Sequence, residues 1–95
     1  MMEERKQTVA VPLGRTVITA SAQRVLAESD VDRALQRHSL RDWGEVGSLD
    51  WEANEEAMRE GARLLSSYTG SSGCRFWVIT EADRSTTTVL LPEDY

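Results

Sequence analysis

The chain has 95 residues, 40% of them hydrophobic, with three Trp and only two Pro, a composition typical of one small globular domain. The net charge is −5, and the single cysteine, Cys74, excludes an internal disulfide and a cysteine-based zinc site. No apolar run approaches the length of a membrane span, and the first residues lack the apolar core of a signal peptide. We therefore expect a cytoplasmic protein in which residues 1–7 are frayed and residues 8–95 form one domain.

The first predicted elements are a strand and a short helix. β-Branched residues predict a strand near Arg15–Thr19, and Thr8–Val11 is a candidate for an extended arm before it. Ser21 then has the residue type and position of an N-cap, and the helix that it begins is expected to direct Val25 and Leu26 inward.

A second short helix follows. Ser29 and Asp32 have the spacing of a capping box, and the helix is expected to continue through His38. Gly44 and Gly47 end it, and Trp43, just before them, is predicted to anchor the connection against the core.

The third predicted helix begins with Asp50 as its N-cap and ends at Gly70. Its apolar residues recur at helical spacing. They are Ala57, Met58, Gly61, Ala62, Leu64, Leu65 and Tyr68. A glycine in the middle of a helix costs about 1 kcal/mol relative to alanine, so a close backbone contact is expected at Gly61.

Two β-branched runs, Arg75–Thr80 and Thr86–Leu91, flank a five-residue tip and predict a hairpin. Both faces of the first run are apolar, which indicates a strand that is central in the sheet or packed on both sides. The predicted order is β-α-α-α-β-β. The sequence therefore predicts an α+β fold in which a three-stranded, mostly antiparallel sheet packs against about three helices on one face.

The charge is distributed unevenly along the chain. Residues 1–40 carry six Lys and Arg against five Asp and Glu, whereas residues 41–95 carry five against eleven. Seven carboxylates lie between Asp42 and Glu60: Asp42, Glu45, Asp50, Glu52, Glu55, Glu56 and Glu60. Such a surface repels nucleic-acid phosphates and attracts a basic partner, although a solvated helix face is the favoured explanation for any one acidic run.

The charged hairpin tip allows two interpretations. Glu81 and Asp83 could bind a cation or act as an acid and base in hydrolysis. Alternatively, Asp83 accepts hydrogen bonds from the turn backbone and Arg84 pairs with a carboxylate, and this second interpretation is favoured. His38 with Cys74 lacks any thiol-enzyme motif, so His38 is better interpreted as a structural histidine. We therefore assign no catalytic, cofactor-binding or metal-binding residues.

Three stretches of the second half are distinctive: DWGEV at 42–46, GARLLSSY at 61–68 and FWVITEADRSTTTVLLPEDY at 76–95. Through them the chain, over roughly residues 30–95, resembles a family of small bacterial proteins encoded on plasmids and other mobile or accessory DNA. Some members carry the label "type I restriction endonuclease subunit M". That label finds no support here, since 95 residues cannot hold a methyltransferase domain and no glycine-rich cofactor loop is present.

These observations predict a non-enzymatic interaction protein without cofactors. Its acidic stretch, from Asp42 to Glu60, would bind a basic surface on a nucleic-acid-handling host defence protein, as an anti-restriction or anti-CRISPR protein would. Two alternatives stay open: a plasmid regulatory or maintenance accessory that dimerises through a sheet edge, and a small hydrolase or cation-binding protein that uses Glu81 and Asp83.

Overall fold

The computed structural model describes residues 10–95, so the predicted frayed segment and the start of the predicted arm lie outside the described residues. The elements are β1 (Arg15–Ile18), α1 (Ala20–Val25), α2 (Glu28–Ser39), α3 (Ser48–Glu60), β2 (Leu64–Thr69), β3 (Arg75–Thr80) and β4 (Thr86–Leu90), followed by a 3-10 turn at Pro92–Asp94. The predicted α+β class is confirmed, as are the first strand and the C-terminal hairpin.

The sheet has four strands in the order β1-β4-β3-β2. β1 runs parallel to β4, whereas the β4–β3 and β3–β2 pairs are antiparallel. The prediction of three strands is therefore wrong, and the sheet is mixed. The hairpin strand β3 lies inside the sheet between two neighbours, as its two apolar faces predicted.

The missing strand, β2, comes from the stretch predicted as the end of the third helix. α3 ends at Glu60, and Gly61 adopts the left-handed conformation (φ 74°) and donates its N–H to the Ala57 carbonyl. A left-handed residue after the last turn is a common helix ending, so Gly61 terminates the helix and does not lie within it. The prediction of a helix through Tyr68, ending at Gly70, is therefore wrong.

The helices also begin earlier than predicted. Their N-caps are Thr19, Ala27 and Gly47, where Ser21, Ser29 and Asp50 were predicted. The Thr19 hydroxyl accepts a hydrogen bond from the Ala22 N–H at 3.2 Å, which satisfies one of the free donors of the first turn. α1 ends at Val25, whose side chain is 48% exposed, so the prediction that Val25 points inward is wrong and only Leu26 is buried.

The helices cover one face of the sheet. Side chains from α1 and α2 pack with those of the three longer strands in a first cluster: Ala22, Leu26, Ala34, Tyr68, Phe76, Val78, Val89 and Leu91. A second cluster joins α3 to β2 and contains Val11, Trp43, Ala57 and Leu64. Trp43 is fully buried, which confirms its predicted role as an anchor.

The outer edge of β2 is closed by the chain itself. Ser67 donates its N–H to the Trp43 carbonyl at 3.1 Å, and its own carbonyl accepts the Glu45 N–H at 2.7 Å. Further along the same edge, the Asn54 side-chain amide binds both backbone groups of Leu65, at 2.8 and 3.1 Å. An asparagine on α3 thus takes the place of a neighbouring strand.

This closure requires a glycine at position 44. Gly44 has a φ of 78°, and a Cβ atom there would overlap the Ser67 carbonyl and the Tyr68 ring. The backbone at Gly44 can approach β2 only because the residue has no side chain.

Candidate interaction surfaces

The outer face of α3 carries an exposed row of carboxylates. Asn54 and Ala57 direct the opposite face of the helix into the protein, so Glu52, Glu56 and Glu60 point outward. These three residues follow one another at four-residue spacing, about 6 Å apart along the axis. None of them forms an ion pair with another described residue. Asp50 is also exposed, in the first turn.

A leucine lies in this acidic row. Leu49 precedes Glu52 by three residues and Glu56 by seven, so it belongs to the same stripe of the helix surface. It is 80% exposed, more than any other large hydrophobic residue that the structure describes as exposed. We define the acidic α3 face as Leu49, Glu52, Glu56 and Glu60.

The other predicted partner-binding carboxylates bind arginines of the same chain. Asp42 forms two hydrogen bonds with the Arg37 guanidinium, at 2.8 and 3.3 Å, and these contacts are the main cause that lowers the pKa of Asp42. Glu45 lies 3.5 Å from an Arg75 nitrogen, in a pair whose side chains are both largely exposed. These two carboxylates are therefore partly neutralised within the molecule.

Glu55 has a structural role. One of its oxygens binds Arg41, and the other accepts a hydrogen bond from the indole N–H of the buried Trp43 at 2.8 Å. The contact with Arg41 is the main cause that lowers the pKa of Glu55. The structure therefore divides the seven predicted residues: Asp50, Glu52, Glu56 and Glu60 are unpaired among the described residues, whereas Asp42, Glu45 and Glu55 are paired.

Two charged side chains of the hairpin tip, Asp83 and Arg84, bind other groups of the same chain. Asp83 accepts hydrogen bonds from the Ser85 N–H and hydroxyl at 3.0 and 2.6 Å, and the hydroxyl is the main cause that lowers the pKa of Asp83. Arg84 has a positive φ of 61° and reaches the end of α3, where it donates to the carbonyls of Ala57 and Ala62 at 3.1 and 2.6 Å.

The contacts of Asp83 confirm its predicted role in the turn. Arg84 binds backbone carbonyls of the tip and of the C-terminal end of α3, where a carboxylate partner was predicted. A cation at the C-terminal end of a helix is favourable, because the carbonyls there lack partners within the helix. Glu81 is exposed, and no three acidic, histidine or cysteine side chains of residues 10–95 are arranged to hold a metal ion.

A chain of hydrogen bonds crosses the core behind these surfaces. The His38 ring binds the Ser66 hydroxyl through Nδ1 at 2.6 Å and the Thr80 hydroxyl through Nε2 at 2.8 Å. The Thr80 hydroxyl contacts that of Thr87 at 2.7 Å, and Thr87 donates to the Leu13 carbonyl at 2.8 Å. All four side chains are buried.

The order of donors in this chain assigns the histidine tautomer. Thr87 uses its single hydrogen on a carbonyl, so Thr80 must donate to Thr87. Thr80 can then only accept from the ring, so His38 carries its proton on Nε2 and Nδ1 accepts from Ser66. Burial lowers the pKa of His38 to about 4, and its ring is therefore neutral at pH 7.

The Ser66–His38 contact has the residue types of a nucleophile and its base. However, Ser66 is fully buried, and the second ring nitrogen of His38 binds a threonine where a hydrolase would use a carboxylate. The Cys74 thiol donates a hydrogen bond to the Arg75 carbonyl, and both ring nitrogens of His38 bind other side chains, so the two residues do not pair. The prediction of a structural histidine is confirmed.

A groove of about 480 Å³ lies at the opposite edge of the sheet from α3, between β1 and the helices α1 and α2. Its walls include the apolar side chains of Ile18, Val31 and Leu35, and its rim carries Glu28 and Asp32. Its volume falls in the range of ligand-binding clefts.

Within the described part of the chain, no helix is long and apolar enough to cross a membrane.

Comparisons of the chain with protein-family models, with curated proteins and with solved structures found no match.

Proposed function

We propose that the protein acts by binding, not by catalysis, and that the acidic α3 face is its binding surface for a basic partner protein. The observation that carries the proposal is the exposure of Leu49 within a row of carboxylates that have no ion-pair partner among residues 10–95. Burial of a leucine supplies about 1.5–3 kcal/mol in an interface, and the surrounding charges select a basic surface.

The proposed partner is a nucleic-acid-handling defence protein, such as a restriction or CRISPR enzyme. Two observations support this choice: the acidic row has the charge sign of a phosphate backbone, and the chain resembles proteins of plasmids and mobile DNA. The mobile-DNA part rests on that resemblance alone.

A matched pair of variants tests the proposal in cells. Glu56→Lys with Glu60→Lys reverses two charges on the acidic α3 face, whereas Glu81→Lys with Glu93→Lys makes the same change in net charge at exposed positions of the hairpin tip and the C-terminal 3-10 turn. Glu55 is left intact in both, because it binds Arg41 and Trp43.

The readout is the plating efficiency of a phage on cells that carry a restriction or CRISPR system. We expect the wild-type protein and the Glu81/Glu93 variant to raise plating, and the Glu56/Glu60 variant to lose most of that effect. The proposal fails if the wild-type protein leaves plating unchanged in both kinds of system, or if the two variants behave alike.

A further inference from the structure

We infer that the edge of β1 is a second binding site, which takes up an extended basic peptide segment of another protein as an added strand. This site lies at the opposite edge of the sheet from the β2 edge beside α3, and it does not depend on the acidic α3 face.

The outer edge of β1 has backbone groups that no described residue binds. Arg15 donates its N–H to the Ser85 carbonyl and Thr19 donates to Val89, so the alternate residues of β1 face β4. The backbone groups of Thr16 and Ile18 consequently point away from the sheet, where no described residue binds them. Such an edge offers four hydrogen-bonding groups to an incoming strand.

The groove lies beside this edge of the sheet. An added strand directs alternate side chains to the same face of the sheet as Ile18, where the groove lies. Val31 and Leu35 of α2 are half-buried along it and leave room for an apolar side chain of the incoming segment. Edge hydrogen bonds combined with a side-chain groove are the two parts of strand-addition sites in general.

The rim of the groove is negatively charged. Glu28 and Asp32 are exposed and four residues apart on α2, and no Lys or Arg among residues 10–95 lines the groove. Two like charges at this spacing repel each other, so a cation between them is favourable. The segment that fits therefore has an apolar side chain between basic ones on the same face.

The same rim argues against a second copy of this chain as the occupant. Two β1 strands could pair symmetrically through Thr16 and Ile18. The symmetric pair would, however, bring the Glu28 and Asp32 rims of both copies toward each other across the twofold axis, which is repulsive. Charge complementarity therefore selects a basic segment from another protein.

The test uses the full-length chain and two short peptides as probes. In Lys-Thr-Val-Thr-Lys the valine and both lysines share one face of a strand, and Glu-Thr-Val-Thr-Glu is its charge-reversed match. Backbone amide shifts and hydrogen exchange are followed during titration. We expect the lysine peptide to shift and protect the Thr16 and Ile18 amides, and to bind at least about tenfold more tightly than the glutamate peptide.

Charge reversal of the rim gives the decisive comparison. Glu28→Lys with Asp32→Lys is expected to invert the preference between the two peptides, whereas Glu81→Lys with Glu93→Lys keeps it. Inversion requires a folded groove, so a variant that merely unfolds cannot imitate it. The inference is overturned if neither peptide shifts Thr16 or Ile18, or if the preference is the same in both variants.

Two further outcomes also overturn it by naming another occupant. Protection of Thr16 and Ile18 that rises with protein concentration, without peptide, identifies a second copy. A rise in peptide affinity after Arg5→Glu with Lys6→Glu identifies the protein's own N-terminal segment as a competitor for the groove.

Discussion

The hairpin tip and the outer face of α3 are both rich in charge, but their side chains bind different things. At the tip, Asp83 binds the turn and Arg84 binds the end of α3. On α3, Glu52, Glu56 and Glu60 form no ion pair among the described residues. Charge density alone therefore does not identify a binding surface, whereas the hydrogen-bond partner of each charged group does.

The largest expected effect concerns His38, a fully buried side chain whose two ring nitrogens both bind groups of the same chain. Its folded pKa of about 4 lies below the unfolded value of 6.5, so the unfolded state takes up the proton first as pH falls. Stability present above pH 6.5 is therefore lost between pH 6.5 and 4, by about 3 kcal/mol. Urea unfolding as a function of pH measures this loss.

The control for this prediction is His38→Gln, which cannot titrate. Its stability should be nearly independent of pH in the same window, whatever its absolute value. Carboxylates with lowered pKa values, such as Asp42 and Glu55, lose their contribution as pH falls through the ordinary value of a carboxyl group, and the variant and the wild type share that loss. An equal slope in the variant and the wild type would refute the role of His38.

Asn54 gives the next largest effect. Asn54→Ala removes both hydrogen bonds to the Leu65 backbone and should lower the free energy of unfolding by about 2 kcal/mol. Asn54→Asp keeps the acceptor but not the donor, so it should retain part of the stability. Denaturant unfolding of both variants measures the difference, and a neutral effect of Asn54→Ala would show that β2 does not need this closure.

Arg84→Ala tests the tip directly. The variant loses the guanidinium contacts with the Ala57 and Ala62 carbonyls and should lose about 1.5 kcal/mol of stability. It should not change the affinity for a partner bound at the acidic α3 face. If it abolishes partner binding while the fold is intact, the tip belongs to the binding surface and the comparison breaks down.

Glu56→Lys should have the smallest effect on stability but should weaken partner binding. Replacing Glu56 removes its like-charge contacts with Glu52 and Glu60, so the free energy of unfolding should stay within about 0.5 kcal/mol of the wild type or rise slightly. Thermal unfolding beside a binding assay sharpens the contrast with Arg84→Ala. A large loss of stability would show that Glu56 has a structural partner.

Much of the fold could be predicted because its signals are local. The β3–β4 hairpin follows from two β-branched runs around a short polar tip. The presence of three helices follows from apolar residues at helical spacing, whereas their N-caps and the end of the third helix do not. β2 could not be identified in the same way. Leu64, Leu65 and Tyr68 have helical spacing, and its buried Ser66 hides the alternation of a strand. Ser66 is buried because it binds His38, which is a long-range contact.

The candidate site divides in the same way. The acidity of α3 is visible in the sequence, but the pairing of Asp42, Glu45 and Glu55 with arginines depends on how the elements pack. Asn54 was missed, although its position three residues before Ala57 places it on the buried face of α3, which is a usable signal. The parallel pairing of β1 with β4 joins the two ends of the chain, and no local pattern specifies it.

The central claim is that the acidic α3 face binds a basic partner, and retention of host proteins on the immobilised chain tests it most directly. The matched Glu56/Glu60 and Glu81/Glu93 charge-reversal variants serve as columns beside the wild type, and salt is raised from about 0.1 M to about 1 M, which shortens the screening length from about 10 Å to about 3 Å. We predict that wild type and the Glu81/Glu93 variant retain the same restriction or CRISPR protein at low salt and release it as salt rises, whereas the Glu56/Glu60 variant retains none. Equal retention by both variants, or retention that salt does not weaken, would contradict the claim.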